Sequence, residues 1–274
     1  SIIVSEQNFL DQRQRLESAH ATEQMNDLRR ALSNAERRIA ELESIKPPAG
    51  AEAERGNSLD AFFAAFETSF RGGGEEIKNR QSVYLDRVAA ASQEFPVLDI
   101  GCGRGEWIEL LNGRNIAAYG IELNNVHVSE ARKRNLDVRE AEGLAHLRSL
   151  DDGSLSGVTG FQVIEHLDWH DLISMVDEIK RVLTPGGFLL FETPNPENLL
   201  VGASTFWGDP SHRAPLRPSV MRFTVEQRGF SGAEVIYLHP DNEEMLLPGA
   251  DEISVRLNQL LYGARDYAIW ARKA

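Results

Sequence analysis

The sequence is short of several things, and each shortage narrows what the chain can be. Among 274 residues there is one cysteine, Cys102, so no internal disulfide can form. That fits a reducing compartment. No apolar run approaches the roughly 20 residues that a membrane-spanning helix needs. The amino-terminal stretch is polar and helical in character, which is not the pattern of a signal peptide. Positive charge is scarce. With 29 Lys and Arg against 42 Asp and Glu the net charge is −13. A broad basic face for nucleic acid is therefore not expected. No His, Cys, Asp and Glu spacing matches a recognised metal motif, so a zinc centre is not expected. The residual alternative is a magnesium ion held by Glu165, Asp168 and Asp209.

Proline and glycine are missing from Ser1 to Ile45. In that stretch Ala21, Met25, Leu28, Leu32, Ala35, Ile39 and Leu42 recur in alternating steps of four and three. This is coiled-coil spacing, and a lone helix with so narrow a stripe would be marginal in water. Self-association through residues 21–42 is expected, with dimer and trimer both open. The segment Lys46–Asn57 contains Pro47, Pro48, Gly50 and Gly56 and reads as a linker. From Ser58 onward the chain reads as a globular domain, with amino-terminal helices over 58–94 and a larger unit over 95–274. Ser58 is the expected cap of a helix carrying Leu59, Phe62, Phe63 and Phe66, for which a core role is expected. Gly72-Gly73-Gly74 ends it, and a second helix carries Ile77, Val83, Tyr84, Val88 and Ala89.

Strand and helix patterns then alternate. Strands are expected at Pro96–Ile100, Ala117–Ile121, Asp137–Glu140, Gly157–Ile164 and Phe188–Glu192. Helices fall between them, at Glu106–Gly113, Val126–Asn135, near Leu144–Leu150 and at Trp169–Leu183. Glu234–Leu238 and Tyr267–Ala271 fit a closing antiparallel hairpin. The fold class is α/β: a doubly wound, Rossmann-like, mostly parallel seven-stranded sheet preceded by the coiled-coil helix.

The chemistry begins at Val97-Leu98-Asp99-Ile100, a short apolar strand with one acid near its end. Gly101, Gly103 and Gly105 follow at alternate positions. Such glycines allow a sharp turn into a helix and let a ligand lie against bare backbone. The next strand leads to Glu122, near the spacing at which an acid reaches ribose hydroxyls. A dinucleotide site more usually reads Gly-x-Gly-x-x-Gly. An acid beside the loop would repel a pyrophosphate but suits a cationic ligand. S-adenosylmethionine, with its sulfonium and ammonium, fits that charge logic.

On these residues the chain resembles the class I, Rossmann-like methyltransferases over about Phe95 to Ala274. The resemblance implies S-adenosylmethionine as cofactor. Its methionine part would lie on Asp99, Gly101, Cys102, Gly103 and Gly105. Glu122 would hold the ribose, with Leu123 beside the adenine. Glu140 and Glu142 compete for the adenine amine; Glu142 is favoured, with Gly143 and Leu144 next to it. Gln162 and Val163 would line the cofactor. Val182-Leu183-Thr184-Pro185-Gly186-Gly187 looks like the family's turn before its fifth strand.

In open parallel sheets ligands sit at the carboxyl ends of the strands. The acceptor is therefore expected after strands four and five. Strand four ends in Ile164-Glu165-His166. Beyond strand five lie Asn195 and the run Phe206-Trp207-Gly208-Asp209-Pro210-Ser211-His212-Arg213. An alcohol acceptor benefits from a base that takes its proton, and histidine is suited to that task. His166 and His212 are both candidates, with Glu165 beside them. Asn195, Trp207, Asp209, His212 and Arg213 are the candidate acceptor contacts. His20, His127, His146, His170 and His239 look ordinary.

The runs Gly-Cys-Gly-Arg-Gly-Glu-Trp, Gly-Phe-Gln-Val-Ile-Glu-His-Leu, Glu-Thr-Pro-Asn-Pro-Glu-Asn and Asp-Pro-Ser-His-Arg-Ala-Pro-Leu resemble bacterial methyltransferases of surface-polysaccharide assembly, O-antigen enzymes among them. That resemblance implies a glycan or lipid-linked glycan acceptor, methylated on a sugar hydroxyl or terminal phosphate. It also implies a glycosyltransferase partner and a cytoplasmic location, peripheral at the inner face of the membrane. Two alternatives stand beside it. One is methylation of a small quinone, lipid or carboxylate acceptor. The other is a coiled-coil assembly subunit with a non-catalytic methyltransferase fold.

Overall fold

A computed structural model describes residues 51–70, 72–92 and 94–274, the stretch 51–58 by its backbone alone. The expected coiled coil over 21–42 lies outside the described residues. Seven strands form one sheet: β1 (Val97–Ile100), β2 (Ala118–Glu122), β3 (Val138–Glu140), β4 (Leu155–Phe161), β5 (Leu183–Pro194), β6 (Phe230–Leu238) and β7 (Asp266–Lys273). Their spatial order is β3-β2-β1-β4-β5-β7-β6. The first five run parallel, and β7 inserts antiparallel between β5 and β6. This is the expected doubly wound architecture with its closing hairpin.

The helices are α1 (Ala51–Phe70), α2 (Gly74–Gln81), α3 (Leu85–Ala91), α4 (Glu106–Gly113), α5 (Asn125–Lys133), α6 (Gly143–Ser149), α7 (Trp169–Val182), α8 (Leu199–Ala203), α9 (Pro218–Gln227) and α10 (Glu252–Tyr262). Strand alternation sorts them into layers. Leu98, Ile100, Leu189 and Phe191 point to one face, where α7 and α9 supply Val176, Ile179, Met221 and Val225. Val97, Phe188 and Leu190 point to the other, against Val88 of α3 and Trp107 and Leu111 of α4. Helix α7 shows why its sequence is helical. Leu172, Met175, Val176, Ile179 and Val182 are buried at helical spacing, and the Asp168 side chain accepts from Asp171 N at 2.9 Å to cap the first turn.

Several boundaries differ from expectation. Ala51–Asn57, taken as linker, is already helical in α1. Ala and Glu are strong helix formers and outweigh the single Gly56. Ser58 is consequently an interior residue of α1 rather than its cap. Phe62 is exposed and Phe63 and Phe66 are only partly buried, so these are not core residues. Phe62, Phe66 and Phe70 stack in a ladder along the helix instead. The segment Thr184–Gly187 is not a separate turn. It is a bulge within β5, where pairing with β4 jumps from Leu155↔Leu183 to Gly157↔Phe188. Ile164–His166 forms a 3₁₀ turn after β4, not the end of the strand. Helices α8, α9 and α10 were not anticipated, because they lie in what reads as loop. Among the described residues no helix is long and apolar enough to cross a membrane.

Candidate active site

The carboxyl ends of β1, β4, β5 and β6 and the start of β7 meet at one edge of the sheet. The turn after β1 is left-handed at all three glycines, with φ of 63°, 52° and 85° at Gly101, Gly103 and Gly105. They serve different ends. A Cβ at Gly101 would lie 2.6 Å from Val163 Cγ2, and one at Gly105 would lie 2.7 Å from Leu136 Cδ1. At Gly103 nothing lies within 4 Å. Gly101 and Gly105 therefore allow close packing, and Gly103 presents open backbone to a ligand. Glu122, at the end of β2, ties this turn in place. Its Oε2 accepts from Gly103 N at 3.0 Å, and its Oε1 accepts from Leu123 N and Asn124 N at 2.8 Å each.

Asp99 is buried beneath the turn, where Thr159 Oγ1 donates to its Oδ1 at 2.6 Å. Burial pushes its carboxyl up to about 7, and the neighbouring charges of Glu122 and Glu106 push the same way. An arriving cation would favour the ionised form. S-adenosylmethionine fits this arrangement, because its positive charge would offset the cost of ionising the buried Asp99 beside a turn with bare backbone. Glu142 caps α6, its two oxygens accepting from Leu144 N at 2.9 Å and Ala145 N at 2.7 Å. Glu142 and Gly143 thus follow the end of β3, and Leu123 follows Glu122 at the end of β2. Val163 packs on Gly101. Gln162 has a positive φ of 58° and turns toward β7, donating from Nε2 to Asp266 Oδ1 at 3.1 Å.

A cavity of about 720 Å³ opens from Asp99 and the Gly101–Arg104 turn, a volume typical of small-ligand sites. Glu67 and Phe70 of α1 and Glu76 and Arg80 of α2 form part of its wall, and His212 faces it from the loop after β5.

The candidate catalytic residues do come together. Glu165 is fully buried, and Thr193 Oγ1 donates to its Oε2 at 2.9 Å. His212 Nε2 lies 3.8 Å from Glu165 Oε1 and 3.8 Å from Asp209 Oδ2. The rings of His166 and His212 meet edge to face with centroids 4.8 Å apart. The two loops are stitched by Arg213 N donating to Glu165 O at 2.9 Å.

The other acceptor candidates are placed differently. Asn195 is buried, its Nδ2 donating to Ala264 O at 2.9 Å and its Oδ1 accepting from Glu197 N at 3.1 Å. It braces the loop. Trp207 is exposed, with Nε1 on Gly202 O, and Arg213 reaches Asp168 from the surface. Neither lines the cavity.

A second constellation was not seen in the sequence. His239, which looked ordinary, has its Nδ1 3.0 Å from Asp266 Oδ2 and 4.0 Å from Glu192 Oε1. Tyr84 OH donates to Glu192 Oε2. Burial and Asp266 push the Glu192 carboxyl up to about 7, while the Asp266 hydrogen bond raises the His239 imidazole. These residues come from α3's flank, β5, β6 and β7. Only the end-of-strand position of Glu192 was a usable signal. Both this group and Glu165–His166–His212 bring atoms able to ligate one ion within 4.8 Å of each other. Motif spacing could not reveal either, since the ligands come from separate segments.

Fold and site together define a doubly wound α/β protein with a nucleotide-type donor site at its first crossover. Residues 59–232 match the family model described as a methyltransferase domain, and the chain belongs to that family. A solved S-adenosylmethionine-dependent methyltransferase from Archaeoglobus fulgidus superposes with a TM-score of 0.71 and 30% identity, covering 77% of this chain and all (100%) of that one. A probable S-adenosylmethionine-dependent methyltransferase of Mycolicibacterium smegmatis is 35% identical over 153 residues, 55% of this chain and 58% of the relative. The match thus spans less than two thirds of that relative's length. The ubiquinone biosynthesis O-methyltransferase of Acinetobacter baumannii is 25% identical over 173 residues, 57% of this chain and 72% of the relative. S-adenosylmethionine is the cofactor these relationships imply.

Proposed function

We propose that this chain is an S-adenosylmethionine-dependent O-methyltransferase. Its acceptor is a hydroxyl, or a terminal phosphate, of a bacterial surface polysaccharide such as O-antigen. The observation that carries the acceptor class is the cavity wall beyond the donor turn. Arg80, His239, Asp241, Arg265 and Asp266 alternate donors and acceptors there, which suits a ligand with several hydroxyls better than a long hydrocarbon. The O-methyltransferase named among the relatives supports transfer to oxygen.

When bound, the cofactor supplies an electrophilic methyl group on sulfur. Asp99, Gly103 and Glu122 hold it. The chain's further task is to align an acceptor oxygen and relieve it of its proton, which is positional and acid–base work. His212, steadied by Glu165 and Asp209, is the best-placed group for that, and His166 lies against it. Residues 21–42 would set the oligomer, and a glycosyltransferase would be the natural partner.

A second reading is kept by one observation. Phe70 lies on the cavity wall, and an aromatic ring there also suits a quinol. Incubation with methyl-labelled donor and parallel panels of mannose- or rhamnose-type oligosaccharides and of quinols separates the two. Label on a glycan supports the proposal. Label on quinols alone replaces it.

A further inference from the structure

We propose that Gln81 and His239 select the acceptor: each hydrogen-bonds a hydroxyl of an uncharged molecule, and phosphate is excluded from that wall of the cavity. This rests on the methyltransferase reading above and narrows its acceptor group from hydroxyl or phosphate to hydroxyl.

His239 follows β6 with a positive φ of 54°, a backbone conformation uncommon for a residue with a side chain. Its Nδ1 lies 3.0 Å from Asp266 Oδ2. The other oxygen of Asp266 accepts from Gln162 Nε2 at 3.1 Å. Asp266 thus accepts through both oxygens, and His239 Nδ1 carries the proton it gives. That leaves Nε2, which is buried and has no hydrogen-bond partner. Gln81 closes α2 and is buried, and its Oε1 has no partner either. Just beyond it, Tyr84 donates to Glu192 Oε2 and ties this segment to β5. Arg80, beside Gln81, stands near enough to His239 for its charge to oppose protonation of the ring. Trp107 Nε1 and Ser156 Oγ are also buried without partners, but neither residue lines the cavity. Gln81 and His239 both do. Leaving a buried polar atom unpaired is costly, and here a ligand can supply the pairing.

The chemistry of the two atoms decides what that ligand presents. A carbonyl oxygen only accepts, so Gln81 Oε1 needs a donor. A hydroxyl donates to it. A hydroxyl also pairs with His239 Nε2 whether or not the ring is protonated, because it both gives and accepts. A phosphate dianion has no proton to give. The charges point the same way. Arg80 and Arg265 line the cavity but are already engaged, with Arg80 Nη2 3.0 Å from Glu76 Oε1 and Arg265 Nη1 2.9 Å from Asp241 Oδ1. Among the described residues the ion pairs of Glu192 and Asp266 are with His239, not with Lys or Arg. A phosphate would meet acids there with no arginine or lysine to offset them. His212 lines the same cavity, so a molecule with several hydroxyls can meet both histidines.

The test uses the full chain, saturated with S-adenosylhomocysteine and carrying nitrogen-15 in its histidine rings. It is titrated in turn with a mannose oligosaccharide, a catechol and inorganic phosphate. The His239 ring signals are identified by their loss in His239→Phe. They should shift saturably with the oligosaccharide and stay in place with phosphate. By calorimetry, Gln81→Leu and His239→Phe should weaken oligosaccharide binding about 10- to 100-fold, with S-adenosylhomocysteine affinity kept within about threefold. Shifts caused by phosphate, shifts caused by none of the three, or variants that bind the oligosaccharide as the parent does overturn the pair. So does a loss of S-adenosylhomocysteine affinity in a variant whose melting temperature is unchanged, since the pair would then serve the donor. Shifts with the catechol alone keep Gln81 and His239 as a hydroxyl-binding pair and sink the polysaccharide acceptor proposed above. Oligosaccharide binding with no label transferred to any acceptor sinks the proposed function and leaves the pair standing.

Discussion

The two halves of the sheet edge are built on different plans. On the donor side, the groups proposed to hold the cofactor lie in one contiguous run, Asp99–Gly105, and in Glu122 one crossover later. On the side proposed for the acceptor, the groups come from separate segments. Tyr84, Glu192, His239 and Asp266 meet from four parts of the chain, and Glu165 and His166 meet His212 from two. A donor shared by a large family can be held by a fixed local turn. An acceptor particular to one protein is met by loops that long-range packing brings together.

That division can be broken by experiment. The largest effect is expected on the acceptor side. Glu165→Gln should lower turnover by roughly 10²- to 10⁴-fold while donor affinity, read by calorimetry, stays within about threefold. A parallel loss of donor binding would mean that the two halves are one unit. Next comes the turn itself. Gly101→Ala places a Cβ on a left-handed residue and against Val163, and should cost about 2–4 kcal/mol of stability. Adding Val163→Ala should restore only part of the melting temperature, since the backbone cost remains.

Glu122→Ala should weaken S-adenosylhomocysteine binding about tenfold, or about 1.4 kcal/mol. Asp99 gives a pH signature. Its carboxyl is raised to about 7 in the donor-free protein, so protonation favours the free fold, and that contribution is lost as pH rises through about 7. Donor binding needs the ionised form. Affinity should therefore fall as pH drops below about 7, and Asp99→Asn should bind weakly with a flat profile. The smallest effect belongs to the surface. Arg228→Ala removes a half-exposed pair with Asp177 and should shift stability by no more than about 1 kcal/mol.

Much of the fold was legible because its signals are local. Val97–Ile100 is an apolar strand, Asp168 and the stripe from Leu172 to Val182 announce a helix, and the alternation of such segments implies a parallel sheet. What misled was also local. Pro47 and Gly50 suggested a linker that extended too far into α1, and three phenylalanines suggested a core although α1 leaves Phe62 exposed. His239 carried no signal, because a histidine after a strand becomes part of a site only when its neighbours across the sheet are known.

Sequence alone determined the donor: an acid, three alternate glycines and a second acid are tied to one short stretch of backbone, and their chemistry follows from spacing. Tertiary structure decided the rest. It separated Gly103, open to a ligand, from Gly101 and Gly105, which admit close neighbours. It moved Asn195, Trp207 and Arg213 off the cavity wall, and it set His212 against Glu165. The physical reason is distance along the chain. Groups joined by a few residues are placed by turn geometry, whereas groups on different strands are placed by the register and packing of the whole sheet.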